Sequence, residues 1–574
     1  MPRLPLALVL LLAAPALAQA PRVTAVSPAP ETVGAPRDGD LVVQFDAPLD
    51  PATVTDASFR VLGRWTGPVA GTLTLEDGDR RVRFTPAAPL FVGDLVLVQL
   101  ARTITDAGGT PLEHGYAWQF WAEAAPSTLD FSEDYRLSLR QLGEGNVIVY
   151  GAHGGDLDGD GDSDLITSQE DANDARVLLN DGEGTYDGFT VHPIPGASVP
   201  SPLEGADFDH DGDLDIAIAS IANGTVAVLL GDGAGGFESI TTYPTAGANG
   251  RSVALGDFDG DGHDDIVTAS RQDGVLSFLR GHGDGTFDAA VGFAGSGSNE
   301  TALATADANH DGILDLFVGD NAGGVSVCLG DGDGGFACGP EAGGGLPWMI
   351  AAGDINGDGH ADVAVASSFA NGVEILYGDG AGGFLSTTFL PSGSFNIAID
   401  LGDLDGDGDL DVVSSNYGTA DYSVFENVDG APTFAFTLDA IQAGSCMTLH
   451  DRDGDGRLDM TGIDERADYA LFFSSPPPPV ASEPGAGGGT LSLAPAENPV
   501  RGLAHLRLHV PAPAEARLRV FDALGREVAV LLDGAVPAGA RTVTWDARGL
   551  PAGRYLARLE AGGEVVTAPL VIVR

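Results

Sequence analysis

Lysine is absent from this chain. All 28 basic residues are arginine, against 83 aspartates and glutamates, for a formal charge of −55. A field this negative repels phosphate backbones and argues against a nucleic-acid partner. Cysteine is almost absent as well: three residues in 574 exclude a disulfide-built scaffold. Cys328 and Cys338 sit symmetrically about a glycine-rich turn, either as a cross-strand disulfide or as two buried thiols, and Cys446 has no evident partner. Long apolar runs are missing apart from Leu4 to Ala14, which is too short for a membrane span. With Arg3 before it and Ala16-Leu17-Ala18 after it, that run has the form of an export signal over residues 1–18. The mature protein is therefore expected to be soluble and secreted. No HExxH, GxSxG or Walker sequence occurs, so no active site declares itself.

What the chain has in excess is glycine, 82 residues without a collagen-like triplet, which implies many tight turns. At 574 residues it is too long for one ordinary core, so several domains are expected. The turns carry a repeat. The frame D-x-[DN]-x-D-G-x-x-D begins at Asp156, Asp207, Asp257, Asp307, Asp354, Asp403 and Asp451, at spacings of 47 to 51 residues. Each copy leads into a short apolar run, a polar turn and a second apolar run, and the first six go on to a glycine-aromatic turn and a third run. Four short strands in about 40–50 residues is the content of one propeller blade. The expected fold class is all-β, with a seven-bladed propeller over residues 128–474. The seventh unit breaks off at Pro476, so its missing strand is expected from Asp134 to Leu142, upstream of the first loop. Closing the ring in that way removes exposed sheet edges.

Oxygen side chains at alternate positions, a glycine for the bend and one further carboxylate suit a hard cation of calcium's size. Up to seven structural Ca²⁺ ions are expected, with candidate ligands at loop positions 1, 3, 5, 7 and 9. These are Asp156, Asp158, Asp160, Asp162 and Asp164 in the first loop, then Asp207, Asp209, Asp211, Asp213 and Asp215. The third loop offers Asp257, Asp259, Asp261, His263 and Asp265, and the fourth Asp307, Asn309, Asp311, Ile313 and Asp315. The fifth has Asp354, Asn356, Asp358, His360 and Asp362, the sixth Asp403, Asp405, Asp407, Asp409 and Asp411. The seventh has Asp451, Asp453, Asp455, Arg457 and Asp459. Position 7 varies because it offers its backbone carbonyl. Seven divalent ions would bring the charge only from −55 to −41, so much of the acidity is general surface.

These loops resemble FG-GAP/VCBS repeats, the calcium-loop blades of integrin α-subunit propellers and of many bacterial surface proteins. The resemblance implies calcium on one face and partner binding on the other. On that second face lie Glu170, Asp171, Asn223, Arg251, Arg271, Asn321, Trp348, Asn416, Tyr417 and Arg466. Arg251, Arg271, Trp348 and Tyr417 are the candidate ligand residues: the arginines as a clamp for an anion, Trp348 as a platform for a sugar ring. Residues 23–123 resemble a bacterial Ig-like domain, which implies a β-sandwich spacer. Residues 475–490 read as a Pro/Gly linker. Beyond it, Asn498-Pro499, the stretch from Leu524 to Val528 and that from Leu550 to Tyr555 resemble the C-terminal sorting domain of type IX secretion cargo, over 491–574. That resemblance implies the type IX machinery as a partner and the outer-membrane cell surface or the medium as destination. The expected function is a non-catalytic adhesion module binding polysaccharide or protein. The alternatives are a calcium-dependent enzyme such as a polysaccharide lyase, and a purely structural surface component. There is no sign of a transmembrane span.

Overall fold

The computed structural model describes residues 19–574 apart from 478–490, 496–502, 512, 523–525, 537–538, 549, 552 and 573–574. The export signal, residues 478–490 of the linker, Asn498-Pro499 and Leu524-Gly525 thus lie outside the described residues. The chain divides into two compact units, up to Pro478 and from Pro479 onward. Among the described residues no helix is long and apolar enough to cross a membrane.

The first unit opens with a sandwich. Strands β1 (Val23–Ser27), β2 (Leu41–Phe45), β5 (Gly71–Glu76) and β6 (Arg81–Pro86) form one antiparallel sheet in the order β1-β2-β6-β5. Strands β3 (Phe59–Gly63), β4 (Gly67–Pro68), β7 (Leu95–Leu100) and β8 (Tyr116–Trp121) form the other, in the order β4-β3-β7-β8. Alternating apolar residues such as Leu41, Val43 and Phe45 on β2 meet Val96, Val98 and Trp118 of the facing sheet in the core.

Seven four-stranded antiparallel sheets follow, the first six with their strands in chain order. The first comprises β10 (Val149–Gly155), β11 (Asp164–Gln169), β12 (Asp174–Leu178) and β13 (Thr190–Pro193). The innermost strands of successive sheets pack side by side, and that of the seventh, Gly444–His450, returns to β10, so the ring closes. The second strand of every sheet is wholly buried, which is why these strands read as Ile, Val, Ala and Ser runs rather than alternating patterns. The seventh sheet takes its outer strand from upstream: β9 (Ser132–Ser138) pairs with Tyr469–Ser474, Ser132 opposite Ser474. The closing strand therefore starts two residues earlier and ends four residues earlier than the sequence suggested. Cys328 and Cys338 are directly opposed across a hairpin and joined by a disulfide, and Cys446 is a buried free thiol.

The sandwich is not the free-standing spacer expected from sequence. Its β3/β7/β8 sheet and the chain after it pack onto the acidic loops. Arg102, Ala117 and Ala125 donate backbone N–H bonds to the carbonyls of Gly260, Gly312 and Gly456, each at 2.7 Å. Arg60 reaches Asp264 at 2.8 Å. Leu62, Trp65, Ala117 and Trp121 enter four separate propeller core clusters. The contact needs close backbone approach: a Cβ on Gly312, which has φ +82°, would fall 2.2 Å from the Tyr116 ring.

The second unit is a separate sandwich of a three-stranded and a four-stranded sheet. Its core includes Leu506, Leu518, Val520, Trp545, Leu559 and Leu570.

Candidate functional site

Each acidic loop joins the first strand of a sheet to the second, which begins at the position-9 aspartate. In the first loop Gly159 and Gly161 take φ of +75° and +92°, and this left-handed backbone turns amides inward. The Asp156 carboxylate accepts from Gly159 and Gly161 at 2.8 and 3.1 Å. In all seven loops the position-5 carboxylate accepts the N–H of position 7 at 2.9–3.0 Å. The position-9 carboxylate accepts the N–H of position 2, as Asp164 does from Leu157 at 2.9 Å, and its other oxygen accepts from the end of the third strand, here Asn180 at 2.8 Å. Position 9 thus ties loop to sheet besides facing the loop centre, a second role that the spacing did not reveal.

Positions 1, 3 and 9 converge within 4.8 Å in five loops: Asp156/Asp158/Asp164, Asp207/Asp209/Asp215, Asp257/Asp259/Asp265, Asp403/Asp405/Asp411 and Asp451/Asp453/Asp459. In the other two loops position 3 is Asn309 or Asn356, whose amide oxygen accepts from the position-5 N–H at 3.0 and 2.9 Å. Position-7 side chains differ, and Arg457 pairs with Asp455, the position-5 carboxylate of its own loop. His263 and His360 face His210 and His310 of the preceding loops at 3.5 and 2.6 Å, and Arg457 donates to the Ser475 carbonyl at 3.1 Å.

The convergence is electrostatically costly as it stands. Burial, with repulsion from neighbouring carboxylates, pushes Asp164 up to about 7 and Asp215, Asp257 and Asp459 to about 8. Buried oxygens Asp158 Oδ1, Asp207 Oδ1 and Asp405 Oδ1 have no hydrogen-bond partner. A hard divalent cation supplies what both observations lack, positive charge and an acceptor-seeking centre for oxygen. The residues fit such an ion.

On the opposite side of the ring, the second residue of each innermost strand stands at a β-bulge: Tyr150, Ser201, Arg251, Thr301, Trp348, Ile397 and Ser445. Three of them meet. Arg251 Nη2 and Trp348 Nε1 both donate to Tyr150 Oη, at 2.8 and 2.6 Å. The Arg251 and Arg271 guanidinium carbons lie 4.3 and 5.0 Å from the Trp348 ring centre. Among the described residues neither arginine has a carboxylate within ion-pair distance, and burial together with Arg251 lowers the Arg271 pKa. An aromatic row runs on from Trp348 to Phe395 and Tyr417 at 5.6 and 5.8 Å. Tyr417 accepts from Arg466 Nε at 3.0 Å and donates to Glu465 at 3.3 Å. Burial and the charge of Glu170 push Glu465 up to about 7.

Arg251, Arg271 and Trp348 therefore come together, and Tyr417 joins them through Phe395. Asn321 and Asn416 do not belong to the ligand face. Both are buried, Asn321 donating to the Pro347 carbonyl at 2.8 Å and Asn416 to Ser423 at 2.8 Å. Asn223 closes a turn on the Gly196 carbonyl at 2.6 Å. Tyr150, Phe395 and Glu465 were missed. The signal for Tyr150 was its fixed distance before a loop, six residues ahead of Asp156 as Arg251 is ahead of Asp257.

Comparison with known families places a bacterial Ig-like domain at residues 18–121. It places FG-GAP-like repeats at 156–218, 207–268, 257–318, 307–365 and 354–414. No curated protein matches the chain. Among solved structures, a protein assigned as a 6-phosphogluconolactonase from Bacteroides fragilis matches at 15% identity and a TM-score of 0.38, over 61% of this chain and 97% of its own. The activity in that name belongs to that protein.

Proposed function

From a chain that carries FG-GAP-like repeats behind a bacterial Ig-like domain, we propose an extracellular, calcium-stabilised propeller that acts as a non-catalytic binding module. The observation that carries this reading is the docked sandwich. It covers the loop face, so the ring keeps one face for partners, and that face bears Arg251, Arg271, Trp348 and Tyr417. Arginine and aromatic residues dominate binding hot spots, and a tryptophan platform with two guanidiniums stacked on it suits a polysaccharide or a protein ligand. Calcium is the ion we assign to the seven loops, for the orphaned carboxylate oxygens above. We further propose export through the residue 1–18 signal, and recognition of the 491–574 domain by type IX secretion machinery that delivers the protein to the cell surface or the medium.

Tyr150 with Arg251 favours a second reading, a polysaccharide lyase. Against it, burial raises the Tyr150 pKa in spite of Arg251 and Trp348, whose bonds to its oxygen on their own favour the phenolate. Incubation of the calcium-loaded mature protein with soluble polysaccharides separates the readings. Retention without shortening of the polymer is expected; shortening would make the protein an enzyme. The calcium assignment has its own test. At free calcium a hundredfold above Kd each ion adds about 2.7 kcal/mol, so EDTA is expected to lower the unfolding temperature sharply. An unfolding temperature indifferent to chelation would refute the assignment.

A further inference from the structure

The innermost strands of the ring surround a bore. This bore ends on the β3/β7/β8 sheet of the sandwich and contains a cavity of about 190 Å³. Leu62, Leu97 and Trp121 of the sandwich form its floor, and Leu303, Met349 and Ile399 of the innermost strands part of its wall. Apolar side chains predominate, with few polar groups among them, which is the composition of small-molecule sites. An engineered apolar cavity of about 150 Å³ takes up benzene, so this chamber is large enough for one ring and a short substituent.

Three charged side chains reach the chamber: Arg64, Asp400 and Glu204. Two satisfy each other. Arg64 Nη1 lies 2.7 Å from Asp400 Oδ1, and Asp400 also accepts from the Leu401 and Leu449 amides at 3.0 and 3.3 Å. Glu204 has no hydrogen-bond donor. Its nearest base is His153 Nδ1, 3.8 Å away, and burial pushes His153 down to about 3, so that ring is neutral and supplies no counter-charge. Desolvation raises the Glu204 pKa and the charge of Arg64 lowers it, so the carboxylate, whose side chain is 37% exposed, is only partly countered and a cationic partner would stabilise it further. The protein's net charge of −55 concentrates cations near it and repels anions.

We propose that this chamber binds a small organic monocation, with an apolar body against Leu303, Met349 and Trp121 and an ammonium group on Glu204. Entry is through the mouth opposite the sandwich, where Arg251 and Trp348 directly precede the lining residues Ser252 and Met349. The chamber lies behind the partner face, and its lining does not include Arg251, Arg271 or Trp348.

The test is calorimetric titration of the calcium-loaded mature protein with benzylamine, benzyl alcohol and benzoate. An ionic hydrogen bond contributes about 1.5–3 kcal/mol, so benzylamine is expected to bind about tenfold or more tighter than benzyl alcohol, and benzoate not at all. Glu204→Gln is expected to bring benzylamine down to the affinity of the alcohol. Met349→Trp, which fills the chamber, is expected to abolish both. Absence of a saturable heat, equal binding of amine and alcohol by the native protein, or full binding by Met349→Trp would each overturn the proposal. If Glu204→Gln does not fold, the order of the three probes on the native protein and the Met349→Trp result decide.

Discussion

Arg60 offers the sharpest measure of how firmly the sandwich is held on the ring. Its side chain is 10% exposed, and its guanidinium binds Asp264 Oδ2 at 2.8 Å and the Asp207 carbonyl at 2.9 Å. Arg60→Leu removes the cation and strands Asp264, itself 1% exposed. Removing one partner of a buried pair costs about 3–5 kcal/mol. Asp264 keeps a bond from Gln99 at 2.8 Å and Asp207 keeps its place in a loop, so the lower figure, about 3 kcal/mol, is expected. For a unit as large as this one, unfolding entropy of about 2.1 cal/mol/K per residue turns that into a shift of only about 3 °C. A denaturant midpoint is therefore the better observable, read in a double-mutant cycle with Asp264→Asn in saturating calcium. The amide relieves the stranded charge, so the double variant should be less damaged than the two single changes summed, by about 2 kcal/mol. Costs that add to within about 0.5 kcal/mol would show that the pair contributes nothing and that the docking rests on apolar contact alone.

Stability should depend on pH without calcium and lose that dependence with it. In metal-free protein the folded Asp164, Asp215 and Asp459 hold protons up to about pH 7 or 8, whereas the unfolded chain loses them near 4. The folded state then binds more protons between those limits, so its stability in EDTA should fall as pH rises from 5 to 8. Calcium should cancel that fall and release protons on binding, both measurable by calorimetry; a flat metal-free profile would contradict the burial described. Replacing Cys328 and Cys338 by serine opens a ten-residue loop and should cost about 2.7 kcal/mol by chain entropy, read as a loss of stability equal to that caused by reductant. Trp348→Ala should weaken retention of a bound polysaccharide about tenfold or more, with the unfolding temperature in calcium little changed, since the ring is only partly buried. Unaltered retention would move the partner site away from the mouth.

The blades were legible because ligand chemistry fixes both residue type and spacing: an aspartate at positions 1, 5 and 9 survives only where the loop geometry repeats. The closing strand was legible for a related reason, an unfinished seventh unit that demands a partner. The docking of the sandwich was not. Arg60, Gln99 and Tyr116 look like the outer residues of any sheet, and their partners, Asp264, the Asp257 amide and Gly312, are up to about two hundred positions away in sequence. The mouth was half legible. Arg251, Arg271 and Trp348 stood out as rare residue types, while Tyr150 resembled ordinary strand content until the ring brought its hydroxyl under two donors. The Glu204 chamber left no trace in sequence, since it exists only between two domains.

The pairing of β9 with Tyr469–Ser474 also sets how the ring carries mechanical load. Ser132 faces Ser474, so the chain enters and leaves the ring at the same end of one antiparallel ladder. Tension between the two ends of the protein would open that ladder like a zip, one rung at a time. Tension between a captured partner and the C-terminal side draws the last strand lengthwise against Asp459–Asp464 on one side and β9 on the other, so that all its rungs resist together. Single-molecule pulling should find the second direction the stronger. A molecule held by its tail and loaded through its partner face is loaded in the direction its seam tolerates best.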